Sequence, residues 1–405
     1  MSARVALARC PSYDLITLKK AISGALSLIG SLEEVVKPGQ RVLLKINHLG
    51  HHPPEAAVIT HPEFLRAVVE LVREITDDIV VADGLDRPGL DGFGISGILA
   101  VARELGVELV NFKGTGYREV RRADFEMVRA LPIAEAALDA DVVITLPKLK
   151  THMLCLMTNA IKNNYGFIPE RLRVNCHRQF ANPDDFSNLV VDVFDARKPE
   201  LAIVDAVVAL EGSGPSSGGA PKPLGLVMAG RDPVAVDAVA SAVMGLDPTE
   251  VASTRHAGRR GLGETDLARI EVVGESLRSA RNPFRLPANR LLVEALLPRL
   301  PGSLVRMAAS LVGSMREYPR IIDARCAACG LCVKHCPERA VSLAHGKARI
   351  DYSRCIACFC CQEFCESKAV AARRRLLGRL LDLAAKTRRA VGRLVRARKD
   401  GAGST

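Results

Sequence analysis

Apolar positions in the first 280 residues follow two alternating patterns. Short β-branched runs at 42–46, 79–83, 107–112, 142–146, 201–205, 224–229 and 270–273 read as largely buried strands. Between them, apolar residues recur at helical spacing. Pro62 follows Thr60-His61 and opens a stripe of Phe64, Leu65, Val68, Val69 and Val72. Asp232 is a natural N-cap, Pro233 suits the first helical position, and Gly245 can end that helix. This alternation predicts an α/β domain over residues 1–280, with a mainly parallel sheet and flanking helices.

The pattern then changes. Residues 281–320 are divided by Pro283, Pro287, Pro298 and Pro301 and dominated by Leu, Arg and Ala, which predicts a linker with two short amphipathic helices. Residues 321–372 hold a cysteine-dense module expected to be small and α+β. Residues 373–405 form a basic tail, read as one amphipathic helix to about residue 399 with Leu377, Leu380, Ala384, Val391 and Val395 on one side. No run of about 18 uncharged apolar residues is present, so no spanning helix is expected. The apolar stretch at the N-terminus is short and interrupted by Arg9, which argues against a signal peptide. The expectation is a cytoplasmic protein able to rest on a membrane.

Charge sharpens this division. The net charge is +11 over 405 residues. Residues 373–400 carry eleven Lys/Arg against Asp382 and Asp400, and residues 281–320 carry seven Arg against Glu294 and Glu317. The main body is therefore mildly acidic, and a nucleic-acid role cannot be read from the overall charge. The tail suits anionic lipid, giving peripheral membrane contact through 373–400, or an acidic redox partner protein; a plainly solvated face is equally compatible. It lacks the aromatics of an RNA-binding surface.

Of 12 cysteines, nine lie between Cys326 and Cys365. The long cysteine-poor remainder does not suit a secreted disulfide scaffold, so metal binding is the better reading. The spacing Cys326-x2-Cys329-x2-Cys332-x3-Cys336-Pro337 recurs as Cys355-x2-Cys358-x2-Cys361-x3-Cys365. Three close thiolates wrap one side of a cubane, and the fourth of each run reaches the other cluster. Two [4Fe–4S] clusters follow: one on Cys326, Cys329, Cys332 and Cys365, the second on Cys355, Cys358, Cys361 and Cys336. Zinc knuckles rarely use three cysteines at this interval. The module resembles bacterial-type two-cluster ferredoxins, with two departures: Glu366 replaces the usual proline, and Cys360 is an additional thiol, read as a spectator.

In the large domain, Lys45-Ile-Asn47, Thr60-His61-Pro62, Pro147-Lys-Leu-Lys-Thr-His152, Ile161-Lys-Asn-Asn-Tyr-Gly166, His177, Asp205, Glu211-Gly-Ser-Gly-Pro and Asp232…Asp237 occur in an order that resembles the domain-of-unknown-function 362 family, across roughly residues 3–250. A C-terminal ferredoxin module is a frequent companion in that family. Independently of the resemblance, Lys148, Lys150 and His152 follow a buried strand at the sheet edge where ligands bind. With Lys45, Asn47, Lys162 and Asn163 they suit a carboxylate or phosphate. His152 and His177 are candidates for proton transfer. Solvated loop lysines and satisfied histidines are the bland alternative. The Gly/Ser/Pro loop at 211–219 either holds phosphate through its backbone or is a flexible turn; it lacks a Walker ending. Gly92-x-Gly94-x-x-Gly97 sits too far past its strand for a dinucleotide fingerprint. His51, His52 and His61 lack metal-ligand spacing.

Two functions are compatible with these features. One is an iron–sulfur oxidoreductase with an anionic small molecule bound in the α/β domain. The other is a non-catalytic electron-relay or metallocofactor-maturation protein whose α/β domain docks a partner.

Overall fold

The computed structural model describes residues 3–85, 90–180, 182–216, 218–287 and 317–374. The linker helices expected within 288–316 and the basic helix beyond 374 lie outside the described residues. Before residue 275 the strands are β1 (Ala3–Arg9), β2 (Val42–Ile46), β3 (Ile79–Asp83), β4 (Glu108–Asn111), β5 (Tyr117–Arg121), β6 (Ala130–Ala134), β7 (Val142–Leu146), β8 (Lys148–His152), β9 (Leu156–Thr158), β10 (Leu201–Gly212), β11 (Gly219–Gly230) and β12 (Ile270–Gly274). The large sheet runs β12-β1-β11-β10-β7-β2-β3-β4, with β8 and β9 added beside β10, while β5 and β6 form a separate hairpin.

Every residue of β2, β3 and β7 is buried, as expected for parallel strands covered on both faces. Alternate side chains choose the layer. Val42, Leu44, Ile46, Val81 and Ile144 pack under helices Leu15–Leu28, Pro62–Arg73 and Ile98–Leu105. Leu43, Val80 and Val143 point the other way, onto helix Pro183–Ala196. Farther along the sheet, Val204, Leu226 and Met228 meet helix Pro233–Val243. The product is a three-layer α/β domain with a mixed, mainly parallel sheet.

The capping residues read from the sequence do what their chemistry allows. Asp232 accepts from the N–H groups of Val234 and Ala235, and Gly245 follows that helix with φ +86. His61 caps helix Pro62–Arg73 through its ring and stacks on Tyr13 with centroids 3.6 Å apart. Gly97, also left-handed, starts helix Ile98–Leu105, so the glycine triplet there is a loop and helix start.

β2 pairs with β3 on one side and with β7 on the other, all parallel. The chain thus runs outward through β3 and β4, then returns across β2. A reversal of this kind leaves a crevice beyond the strand C-termini. β8 extends the line of β7 past that edge. It leans on β10, where the register jumps from Asp205↔Lys148 to Leu210↔Lys150.

The cysteine module is a pseudo-repeat. Strands β13 (Glu317–Ile321) and β16 (Val370–Arg374) pair, as do β14 (Val341–Ala344) and β15 (Lys347–Ile350). Left-handed residues recur at one offset: Ala328 and Ala357, Gly330 and Phe359, Arg339 and Lys368. Short helices Leu331–Lys334 and Cys360–Glu363 occupy matching places. The described residues up to 287 and those from 321 to 370 form one compact unit. Within it Glu366 pairs with His51 (2.7 Å) and His335 with Glu170 (3.0 Å).

Candidate functional site

A cleft of about 100 Å³ opens at the reversal between β2 and β7. Lys45 enters it from the penultimate position of β2. Its ammonium donates to the Ile46 carbonyl (2.6 Å) and pairs with Asp83 at the end of β3 (2.9 Å). Asp83 also accepts from the N–H groups of His48 and Gly84, both at 2.7 Å. Gly166 passes so close that a Cβ there would stand 2.8 Å from the Asp83 carboxylate. Asn163 ties the two parent strands together, donating to the Lys45 carbonyl and to Thr145 Oγ1. Its own helix, Ala160–Asn163, is capped by buried Asp237, which accepts from the N–H of Ala160 (2.8 Å).

Lys150 is fully buried, and its ammonium donates to the Val58 carbonyl at 2.6 Å. Burial, reinforced by nearby Lys162 and partly offset by Glu363, brings its pKa down to about 7. His152 accepts at Nδ1 from the N–H groups of Leu154 and Cys155. Its proton therefore sits on Nε2, which lies 3.6 Å from the Glu363 carboxylate. Burial and the cations Lys162 and Lys150, with His177, hold that ring neutral. His177 stacks on Phe186 and is pushed down to about 3 by burial, Lys162 and Arg173. The Lys162 ammonium lies 4.4 Å above the ring of Tyr165. Thus Lys45, Asn47, Lys150, Lys162, Asn163, His152 and His177, all singled out from the sequence, line this one cleft.

Lys148 does not join them, contrary to the sequence expectation. The register jump on β10 breaks the two-residue alternation between Lys148 and Lys150. Lys148 pairs instead with Asp205 at 2.5 Å and donates to Tyr13 Oη at 2.8 Å. Asp205 is further satisfied by the Tyr13 hydroxyl and the His61 N–H. This is a closed structural network. Thr60 is structural too: its hydroxyl donates to the Leu146 carbonyl and accepts from the Asn47 N–H, clasping the ends of β7 and β2.

Sequence reasoning missed Arg173 and His48. Arg173 reaches the cleft from helix Glu170–Gln179, and His48 sits against Phe93. Arg173 belongs to no local motif, whereas His48 directly follows Lys45-Ile-Asn47. It also missed the wall made by Cys360, Glu363 and Phe364 of the cysteine module. Several buried polar atoms of cleft residues have no protein partner: Asn47 Oδ1, Thr158 Oγ1, Asn163 Oδ1, Arg173 Nε, His177 Nδ1 and both nitrogens of His48. With Lys45, Lys150, Lys162 and Arg173 opposed by Asp83, Glu170 and Glu363, the cationic groups outnumber the carboxylates by one, and the unpartnered donors among them suit a polar anion.

The 211–219 loop turned out to be the hairpin connection between β10 and β11. Gly214 accepts from the Met153 N–H, and a Cβ on Gly214 would collide with the Thr151 carbonyl. Ser216 donates to the carbonyl of Gln362 at 3.2 Å. The loop thereby packs β8 against the cysteine module.

Within that module, Cys326, Cys329, Cys332 and Cys365 line one pocket. Burial and the neighbouring thiols of Cys365, Cys329 and Cys326 push Cys332 up to about 11. Cys361 is raised by burial and by Cys358, Cys355, Cys332 and Cys336. The first neighbour set is that of Cys326, Cys329, Cys332 and Cys365; the second gathers Cys355, Cys358, Cys361 and Cys336 but also includes Cys332, so the two groups of thiols adjoin. Among the described residues no three His, Cys, Asp or Glu side chains converge on a single-ion site. Backbone N–H groups of Ala340 and Ala369 donate to Cys336 and Cys365 sulfur at 3.1 Å, the contacts that hold and tune cluster ligands. The donor set fits [4Fe–4S] clusters. Cys360 takes the place of Leu331 in the first repeat and lies beside Cys358; their interaction raises Cys360 and lowers Cys358.

Residues 42–242 match the family described as Domain of unknown function (DUF362), and residues 318–366 match the 4Fe-4S dicluster domain. The chain is 31% identical over 298 residues to the Thylakoid-associated protein sll1697 of Synechocystis sp., covering 73% of this chain and 91% of that protein. Among solved structures, the lactate racemase apoprotein from Thermoanaerobacterium thermosaccharolyticum aligns with TM-score 0.35 and 14% identity, over 56% of this chain and about half (54%) of that one. By sequence, cysteine chemistry and relatives, the chain belongs to the DUF362 family and is an iron–sulfur protein with a [4Fe–4S] ferredoxin domain.

Proposed function

We propose that this protein is an iron–sulfur oxidoreductase that passes single electrons to or from a small anionic organic substrate in the β2/β7 cleft. The observation that carries this reading is the shared wall: helix Cys360–Glu363, which contains a cluster-loop cysteine, faces Lys150, Lys162 and His152 across the cleft. Two [4Fe–4S] clusters are assigned, the first to Cys326, Cys329, Cys332 and Cys365, the second to Cys355, Cys358, Cys361 and Cys336. When bound, they supply and accept electrons one at a time.

The chain's own residues do the rest. Lys162 and Arg173 offer charge-assisted bonds to the anion. Lys150, with a pKa of about 7, is suited to give or take a proton at its ammonium. His152, neutral and protonated at Nε2, presents a donor to the same space. A cavity of about 100 Å³, holding on the order of eight water-sized positions, favours a small ligand over a docked protein. Residues 373–400 supply peripheral contact with anionic membrane for a cytoplasmic protein. A thylakoid-associated relative supports that contact.

The test is anaerobic reconstitution of the full chain, followed by metabolite screening on the cluster spectrum. About eight iron and eight sulfide per chain are expected. Small carboxylates and phosphates should shift the spectrum or reoxidise dithionite-reduced clusters, and Lys162→Ala should abolish that response while iron is retained. Stoichiometric zinc overturns the cluster assignment. A full cluster load with no response to any small anion overturns the oxidoreductase reading.

A further inference from the structure

A second, larger groove lies on the outer side of helix Glu170–Gln179, where the α/β domain meets the cysteine module. Lys113, Arg171 and Arg178 rim it from one side, and Lys334, Arg339 and Arg354 from the other. All six are exposed. Only Glu170 and Glu338 oppose them, and Glu170 is already engaged by Lys113 (2.9 Å) and His335 (3.0 Å). That Glu170 bridge also fixes the two walls to each other. Among the described residues Arg171, Arg178, Lys334 and Arg339 are in no ion pair, and Arg354 has only the exposed Asp351 carboxylate near it. The groove floor contains Cys336, partly exposed, with Pro337 beside it.

This arrangement does not serve the substrate cleft. The cleft is small and lined mostly by buried groups, whereas the cations of the groove are exposed. Unpaired surface cations contribute little to stability, but concentrated on one face they steer an oppositely charged partner. Placing them around a cysteine that belongs to the second ligand set puts the attraction where an electron would enter. The single aromatic on the rim, Tyr117, does not make a stacking platform for nucleic acid.

We propose that this groove docks a small acidic one-electron carrier protein, of the ferredoxin or flavodoxin class, which exchanges electrons with the cluster held in part by Cys336. In the reducing direction the carrier loses one electron and that cluster gains one, with no bond made or broken and no proton required. The inference rests on the cluster assignment above but not on the identity of the substrate.

The experiment uses the full-length, cluster-loaded protein under anaerobic stopped flow. The probes are a dithionite-reduced acidic two-cluster ferredoxin and, as a small control that needs no protein docking surface, a reduced viologen, a radical cation used at about 0.3 M salt so that the groove charges are screened. The second-order rate with the ferredoxin should fall roughly tenfold or more between low salt and about 0.3 M salt. The double variant Arg171→Glu/Arg339→Glu should lower the low-salt rate by at least about tenfold. Its viologen rate and iron content should match the parent. Deleting residues 375–405 should leave the effect of the double variant in place. Clusters that viologen cannot reduce would overturn the cluster assignment itself. Clusters that viologen reduces normally, with a ferredoxin rate indifferent to the groove charges or abolished only by tail deletion, would overturn the docking site. A single-stranded oligonucleotide that binds through the same arginines while ferredoxin kinetics stay unchanged would reassign the groove.

Discussion

Lys148 and Asp205 form a fully buried ion pair at 2.5 Å, while Lys150, two residues on and just as buried, donates to a carbonyl. The two lysines should therefore respond oppositely to truncation. Lys148→Ala leaves Asp205 charged, buried and short of its main cation, at a cost of about 3–5 kcal/mol. Lys150→Met removes a cation with no carboxylate partner in contact, and stability should hold or rise. Denaturant midpoints of the two variants measure this. Equal destabilisation would show that Lys150 is as structural as Lys148.

The depressed pKa of Lys150 sets a pH dependence. The folded group titrates at about 7 and the unfolded one at the ordinary lysine value of 10.5. Between these values the unfolded chain binds the extra proton, so this group makes stability rise with pH across that window. The stability advantage of Lys150→Met over the parent should thus be largest at or below pH 7 and shrink toward pH 10. Anion binding works the other way, because it needs the ammonium. With Lys162, Glu363, Lys148 and Asp83 around it, Lys150 should take up a proton when an anion binds, and affinity should fall about tenfold per pH unit above 7. Isothermal titration in buffers of different ionisation enthalpy reads that proton directly. A pH-independent affinity with no proton uptake would remove Lys150 from the anion site.

Glu366 stands where two-cluster ferredoxins carry proline, and it pairs with His51 of the α/β domain. The carboxylate is about one-third exposed, so the pair contributes no more than about 1 kcal/mol. Glu366→Pro should retain iron and leave the melting temperature within error, yet speed hydrogen exchange in residues 48–52 and 360–366. Unchanged exchange would mean that Ser216, His335 and the hairpin loop hold the module without it.

The fold was legible because burial on both faces writes uniform apolar runs: β2, β3 and β7 have the ranges their sequences predict. β1 was less visible, since its apolar stretch is broken by Arg4 and Arg9, which pair with Glu271 and Glu275 on and just after its edge neighbour β12. The cleft residues on β2, on β8 and on helix Ala160–Asn163 could be found because they follow strands or share local motifs. Lys148 went astray because a register jump on another strand, not anything local, turns it away. Arg173 and Glu363 come from separate segments, and only tertiary packing brings them to the cleft, whereas His48 directly follows the Lys45-Ile-Asn47 motif. The Glu366 substitution was visible as a departure from pattern, but its partner His51 lies more than three hundred residues away in the chain.

Cys360 and Cys358 separate a ligand from a neighbour. Cys360 matches Leu331 by repeat position, is buried and interacts with Cys358, so it is placed as a small core residue able to offer a ligand sulfur one weak donor. Cys358 belongs to the regular triplet. Cys358→Ala should lose about half the iron, because one thiolate of the second set is gone. Cys360→Ala should keep nearly all of it. It should nevertheless shift the reduction potential of one cluster, since a hydrogen bond to a ligand sulfur is a recognised determinant of potential. Iron analysis with anaerobic redox titration reads both quantities on the same samples. Cys360→Leu, which restores the residue of the first repeat, provides the control for packing: it should reproduce the potential shift of Cys360→Ala if the S–H donor is responsible. Equal iron loss from the Cys358 and Cys360 variants would make Cys360 a ligand and overturn the assignment of the second set.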